Sequence, residues 1–137
     1  MAKTFAQMKE EARREVPVIS AEEAYRRAQE DPRTVIIDVR DAGEAAANGM
    51  IKGARNISLG TLPIKADTEL ASRDPELQDR SLPIITTCAA GGQASLGAKV
   101  LKDMGFTNVS ILDTGNKGWQ EAGLPMEESG GARPSGS

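Results

Sequence analysis

Apolar residues at the start of the chain recur at intervals of three and four: Phe5, Met8, Ala12 and Val16 fall on one face of a helix over residues 4–16. The pattern then changes to short branched runs separated by helical stretches. Val16, Val18 and Ile19 form the first run, and Pro17, which has no N–H for a ladder, assigns it to a sheet edge. Ser20 with Glu23 three residues later reads as a capping box, opening a helix that stops near Asp31 and Pro32. Residues 34–39 are almost continuously branched and apolar, as a strand covered on both faces requires. Asp38 and Arg40 then sit at that strand's C-terminal end.

Residues 41–47 predict a helix capped by Asp41 and stopped by Asn48 and Gly49, and residues 54–57 a short strand. Residues 58–80 hold Pro63, Pro75 and interrupted periodicity, so short helices and loops are expected. A strand over 83–87 is followed by a small-residue loop and a helix over 93–104, with Leu96, Val100, Leu101 and Met104 as its buried face and Gly105 as its stop. Residues 109–112 read as a strand, and 117–121 as a helix whose Trp119 belongs to the core. The division expected is a helical extension over 1–15, a folded domain over 16–128 and a disordered tail over 129–137. About five short strands alternating with helices predict an α/β fold, a parallel sheet sandwiched between helices. In such sheets the site lies at the C-terminal ends of the strands.

Composition narrows the chemistry. A chain of 137 residues makes one domain, and an aromatic share of 3% leaves the core to Ile, Val, Leu and Ala. The 17 Lys and Arg are scattered and outnumbered by 20 Asp and Glu, which argues against a nucleic-acid partner. Histidine is absent, which excludes serine triads, Cys-His dyads and imidazole metal sites. The single cysteine, Cys88, excludes an internal disulfide and multi-thiolate metal sites and suits a reducing compartment. No apolar stretch is long enough for a signal peptide or membrane span, so a soluble, cytoplasmic protein is expected.

Cys88 stands where a strand ends and a helix begins, a point at which backbone N–H groups and the helix dipole converge on an anion. Ala89, Ala90, Gly91 and Gly92 have little or no side chain, so nothing keeps backbone amides from curling around the sulfur. A free cysteine is by composition alone a buried small hydrophobe. Four small residues and a helix start point instead to an anion-binding or nucleophilic thiol. A phosphate-binding ATPase loop is set aside, because Ala98 stands where its lysine is needed.

These residues carry a resemblance. Over residues 18–126 the chain resembles a single-domain rhodanese, a sulfurtransferase module, through four stretches in order: residues 35–40, residues 49–57, the Cys88 loop, and residues 112–115 with Trp119 and Gly123-Leu124-Pro125. The resemblance implies a rhodanese-like α/β fold, a five-stranded parallel sheet flanked by helices, with Cys88 as the catalytic residue. It implies transfer of a sulfane sulfur from thiosulfate or a persulfide donor, through a persulfide on Cys88, to an acceptor such as cyanide, a thiol or an acceptor protein. It requires no histidine, metal or cofactor. The substrate-binding residues it suggests are Ala89, Ala90, Gly91, Gly92, Gln93, Ala94 and Arg40.

Two positions depart from the family's pattern. Its loop commonly carries an arginine where this chain has Gln93, with Ala94 next and Ser95 one place late, so the loop has no positive charge. A charged hydrogen bond is worth roughly 1.5–3 kcal/mol, and its loss weakens a dianionic donor by about 10 to 100-fold. Low thiosulfate activity is therefore expected, with a weak rhodanese-like binding or sulfur-sensing module as the alternative. Arg40 and Arg55 are candidates to supply the missing charge, against a structural role for Asp38 and Arg40 and a surface role for Arg55. Met50 replaces a histidine that the family often has, a position taken as structural. The related phosphatases end a longer loop in arginine, here Ala94, and without that guanidinium the loop cannot hold a phosphoryl transition state.

Overall fold

The computed structural model describes residues 2–127, so the tail expected at 129–137 and the domain limit expected at 128 lie outside the described residues. Among them five strands form one wholly parallel sheet in the order β1-β5-β4-β2-β3: β1 (Val18–Ile19), β2 (Val35–Asp38), β3 (Arg55–Asn56), β4 (Ile84–Thr87) and β5 (Val109–Leu112). Among the described residues six α-helices flank it: α1 (Phe5–Glu15), α2 (Ala21–Glu30), α3 (Ala42–Asn48), α4 (Leu62–Lys65), α5 (Gly92–Asp103) and α6 (Gly115–Glu121). No helix among the described residues is long and apolar enough to cross a membrane.

The branched runs are buried because the sheet is covered on both faces. Alternation along each strand sends Ile37, Ile84 and Ile111 into a core shared with Ala94, Ala98 and Leu101 of α5 and Leu62 of α4. Their neighbours Ile36, Ile85 and Leu112 enter a second core with Ala21 and Ala24 of α2 and Trp119 of α6. β1 is an edge strand, as Pro17 requires. β4 is central, so the chain leaving its C-terminal end emerges in the middle of the molecule.

Two local expectations need correction. Ser20 caps α2 by accepting the Glu23 N–H at 3.1 Å, but the Glu23 carboxylate does not complete the box; it accepts hydrogen bonds from Arg26 and Arg27 instead. The full capping box lies at α1, between Thr4 and Gln7. The buried face of α5 is Ala94, Ala98 and Leu101, whereas Leu96, Val100 and Met104 are half-buried. Gly97 explains the rotation: a Cβ there would lie 3.0 Å from Val39 Cγ1, so the helix turns its smallest residues to the sheet.

Candidate active site

Cys88 follows β4 directly and is 2% exposed. Its Sγ accepts the N–H of Gly91 at 3.1 Å and the N–H of Ala94 at 3.4 Å. Ala94 lies in the first turn of α5, where N–H groups have no intrahelical acceptor, and Gly91 is that helix's N-cap at φ 103°, a left-handed conformation suited to glycine. The expectation of a backbone nest around the sulfur holds, with Gly91 and Ala94 as the donors. Ala89, Ala90 and Gln93 form an exposed rim, Gly92 is half-buried and Ala94 is buried.

The loop is held from below by α6. The N–H of Asn116 donates to the Cys88 carbonyl at 2.8 Å and that of Lys117 to the Ala89 carbonyl at 3.0 Å. Gly115, at φ 60°, allows this approach: a Cβ on it would lie 2.6 Å from the Cys88 carbonyl oxygen and 2.8 Å from the Gly91 nitrogen. Thr86 Oγ1 donates to the Ala94 carbonyl at 2.8 Å, tying the strand to the helix that follows it.

Arg40, expected against substrate, has its donors engaged in the interior. It is 2% exposed, its Nη2 donates to Asp38 Oδ2 at 2.7 Å and to the Gly49 carbonyl at 2.7 Å, and its Nε also meets the Asp38 carboxylate. Burial opposes its charge, but the Asp38 hydrogen bond and charge, with smaller contributions from Glu44 and Cys88, outweigh burial and hold its pKa above the ordinary value. The pair continues into a buried network: Asn116 Nδ2 donates to Asp38 Oδ2 at 3.1 Å, and Thr87 Oγ1 donates to Asn116 Oδ1 at 2.7 Å. The structural role weighed for Asp38 and Arg40 is therefore the one observed, with Thr87 and Asn116 as members the sequence did not single out.

Arg55 does not reach the loop either. It pairs with Asp74 and, at 3.4 Å, with Glu76, in a cleft of about 500 Å³ that Lys65 and Arg73 also line and to which no residue of 88–94 contributes. Met50 is fully buried, and Trp119 is 2% exposed with its Nε1 donating to the Pro125 carbonyl at 2.8 Å, both as expected of core residues. A basic side chain at the loop's edge is that of Arg13, from α1, whose Nη2 donates to the Gly91 carbonyl at 3.5 Å. No motif marks it, since its partners stand some eighty to a hundred positions away along the chain.

The site is thus a cysteine at the end of the central strand of a parallel α/β sheet, its sulfur met by two backbone N–H groups. The chain belongs to the rhodanese-like domain family, whose match spans residues 20–122. It is 32% identical over 116 residues to the thiosulfate sulfurtransferase GlpE of Actinobacillus succinogenes, an alignment covering 85% of this chain and 95% of that protein. In structure it resembles a Rhodopseudomonas palustris protein of unknown function named as a possible tyrosine phosphatase (TM-score 0.85, 26% identity, covering 93% and 96% of the two chains). It also resembles the polysulfide-sulfur transferase of Wolinella succinogenes (TM-score 0.71, 28% identity, covering 94% and 91%).

Proposed function

We propose that this protein is a sulfurtransferase that moves a sulfane sulfur from thiosulfate or a persulfide donor to a thiophilic acceptor through a persulfide on Cys88. The observation that carries the reading is the convergence of the Gly91 and Ala94 N–H groups on Sγ. Two peptide donors at that distance stabilise a sulfur anion without a metal or a histidine. The named activities of the GlpE and Wolinella relatives support the same chemistry.

In the first half-reaction the Cys88 thiolate attacks the outer sulfur of the donor. The new S–S bond forms as the donor's bond breaks, and with thiosulfate the leaving sulfite takes the electron pair. In the second, cyanide or a thiolate attacks the outer persulfide sulfur, and thiocyanate or a new persulfide departs as Cys88 regains its thiolate. Ala89 and Ala90, small and exposed, leave room for the bound sulfur, and Gln93 offers a neutral donor at the rim. Arg40 acts at one remove, holding Asp38, which accepts from Asn116 beneath the loop. With no second cysteine in the chain, the acceptor thiol is external and the protein suits a reducing, cytoplasmic setting. Phosphoryl transfer is disfavoured even with a neighbour named a possible phosphatase, because buried Ala94 offers no guanidinium fork.

Intact mass after incubation with thiosulfate, and separately with a neutral persulfide donor, tests the reading, with Cys88→Ser as control. One added sulfur on the wild type alone, lost again to cyanide or a thiol over many cycles, is expected. A protein that loads from neither donor is not a sulfurtransferase, and a weak binding or sensing module then takes its place.

A further inference from the structure

The family match begins at residue 20, and α1 precedes it, yet a side chain of α1 reaches the edge of the Cys88 loop. Arg13 fans out over three elements. Its Nε donates to Ser95 Oγ at 3.0 Å, its Nη1 pairs with Asp113 Oδ1 at 2.6 Å, and its Nη2 donates to the Asp113 carbonyl at 2.7 Å and, at 3.5 Å, to the Gly91 carbonyl. Ser95 Oγ in turn donates to the Gly91 carbonyl at 2.8 Å, and the Ser95 N–H meets the same oxygen at 3.2 Å. The guanidinium thus joins α1, the first turn of α5 and the chain just beyond β5 around one peptide carbonyl.

That carbonyl belongs to the residue whose N–H binds the sulfur. Gly91 has φ 103° and ψ -12°, and as a glycine it has wider rotational freedom than the alanines of the loop. Its N–H and its carbonyl lie in successive peptide planes related through these two dihedrals, so holding the carbonyl limits how far the N–H can swing from Cys88 Sγ. Close packing narrows the choice further, since a Cβ on Gly91 would overlap the Asp113 carbonyl oxygen and lie 2.8 Å from Arg13 Nη2.

We infer that Arg13 is a positioning residue for the Cys88 site: by gripping Ser95, Asp113 and the Gly91 carbonyl, it holds the Gly91 N–H on the sulfur. The loop that lacks an arginine of its own is braced by one from outside the family's core. This rests on the sulfurtransferase reading for its consequence, but its geometric part can be tested without any sulfur donor.

α1 has other anchors, so replacing Arg13 leaves the helix seated. Phe5 lies over Gly92, where a Cβ would come within 2.8 Å of its Cζ, and Lys99 and Lys102 both hold Glu15 at the helix's far end. Charged residues at the loop include the Arg40 and Asp38 pair beneath it, Arg13 with Asp113 at its edge, and Lys117, whose N–H binds the Ala89 carbonyl.

The experiment compares Arg13→Ala and Arg13→Lys with the wild type in two readouts. The first is amide hydrogen exchange at Gly91 and Ala94 by NMR. The second is the rate of persulfide formation from a neutral donor, resolved into kcat and KM. In Arg13→Ala, Gly91 exchange is expected to accelerate and kcat for loading to fall about tenfold with KM little changed. A lysine keeps the charge but reaches fewer acceptors, and restores part of both. A folded Arg13→Ala protein with a lower Tm but wild-type Gly91 exchange and loading overturns the inference, leaving Arg13 as a surface brace. Should Arg13→Ala not fold, Ser95→Ala and Arg13→Lys are read the same way: faster Gly91 exchange supports the inference and unchanged exchange refutes it. If the wild type never loads sulfur while Gly91 exchange still responds to Arg13, the functional reading fails and the positioning role stands.

Discussion

Gly115→Ala tests whether the loop's shape depends on a backbone approach that no side chain can accommodate. At φ 60°, alanine there adopts a left-handed conformation, a strain of about 1 kcal/mol. Its Cβ would stand 2.6 Å from the Cys88 carbonyl oxygen, 2.8 Å from the Gly91 nitrogen and 2.9 Å from the Ala90 nitrogen. All three are backbone atoms of the Cys88 loop, so no flexible side chain can step aside. Overpacking of this kind costs about 1–3 kcal/mol, giving a total destabilisation of about 2–4 kcal/mol. For a domain of this size that is a fall in Tm on the order of 10 °C. Because the displaced atoms carry the nest, persulfide loading falls as well. The control is Gly43→Ala: this glycine sits inside α3 with nothing within 4 Å of its Cβ position, and alanine there is expected to stabilise by about 0.5–1 kcal/mol. Thermal melts followed by intact-mass loading measure both variants. A Gly115→Ala protein that melts with the wild type and loads at the same rate would refute the argument from close approach.

Gln93→Arg is expected to raise the loading rate from thiosulfate by about 10 to 100-fold while leaving a neutral persulfide donor nearly unaffected, as parallel rate measurements would read. Equal effects on both donors would contradict an electrostatic origin. Glu23 has its pKa lowered to about 2, first by its hydrogen bond to Arg26 and next by that to Arg27. A depressed carboxylate pKa contributes stability that is fully present above its unfolded value, near 4.5, and is lost as pH falls towards 2. Glu23→Gln therefore melts slightly below the wild type at neutral pH, and melts recorded down the acid range bring the two together.

The strands were legible because burial on both faces leaves a near-continuous apolar signature, which residues 35–39 and 83–87 carry even at four residues per strand. Cys88 and its small neighbours were legible because a nest needs those residue types in one contiguous stretch. What sequence did not reveal is chemistry assembled across the chain. Thr87, Asn116 and Asp38 come from three separate elements, and each alone reads as an ordinary polar residue. The face of α5 was misread because hydrophobicity favours Leu96 and Val100, whereas close approach to Val39 favours Gly97 and Ala98. Arg40 lay between the two readings, since a strand-end arginine beside an aspartate can equally serve a ligand or the fold.

The same distinction bears on what the missing loop arginine means. Every hydrogen bond at Sγ comes from a peptide N–H, so the nest is insensitive to the identity of the side chains at 89–94 as long as they are small or point outward. It is sensitive to the residues that set backbone position: Gly91 and Gly115 by what they lack, Thr86 and Asn116 by the carbonyls and neighbours they hold. Replacing arginine by Gln93 removes an attraction for an anionic donor at an exposed rim and leaves the stabilisation of the sulfur itself untouched. On the proposed reading, donor preference and persulfide stability are set by different atoms, and a chain can lose the first without losing the second. On that reading, a neutral persulfide donor, which does not need that guanidinium, is the substrate class this division favours.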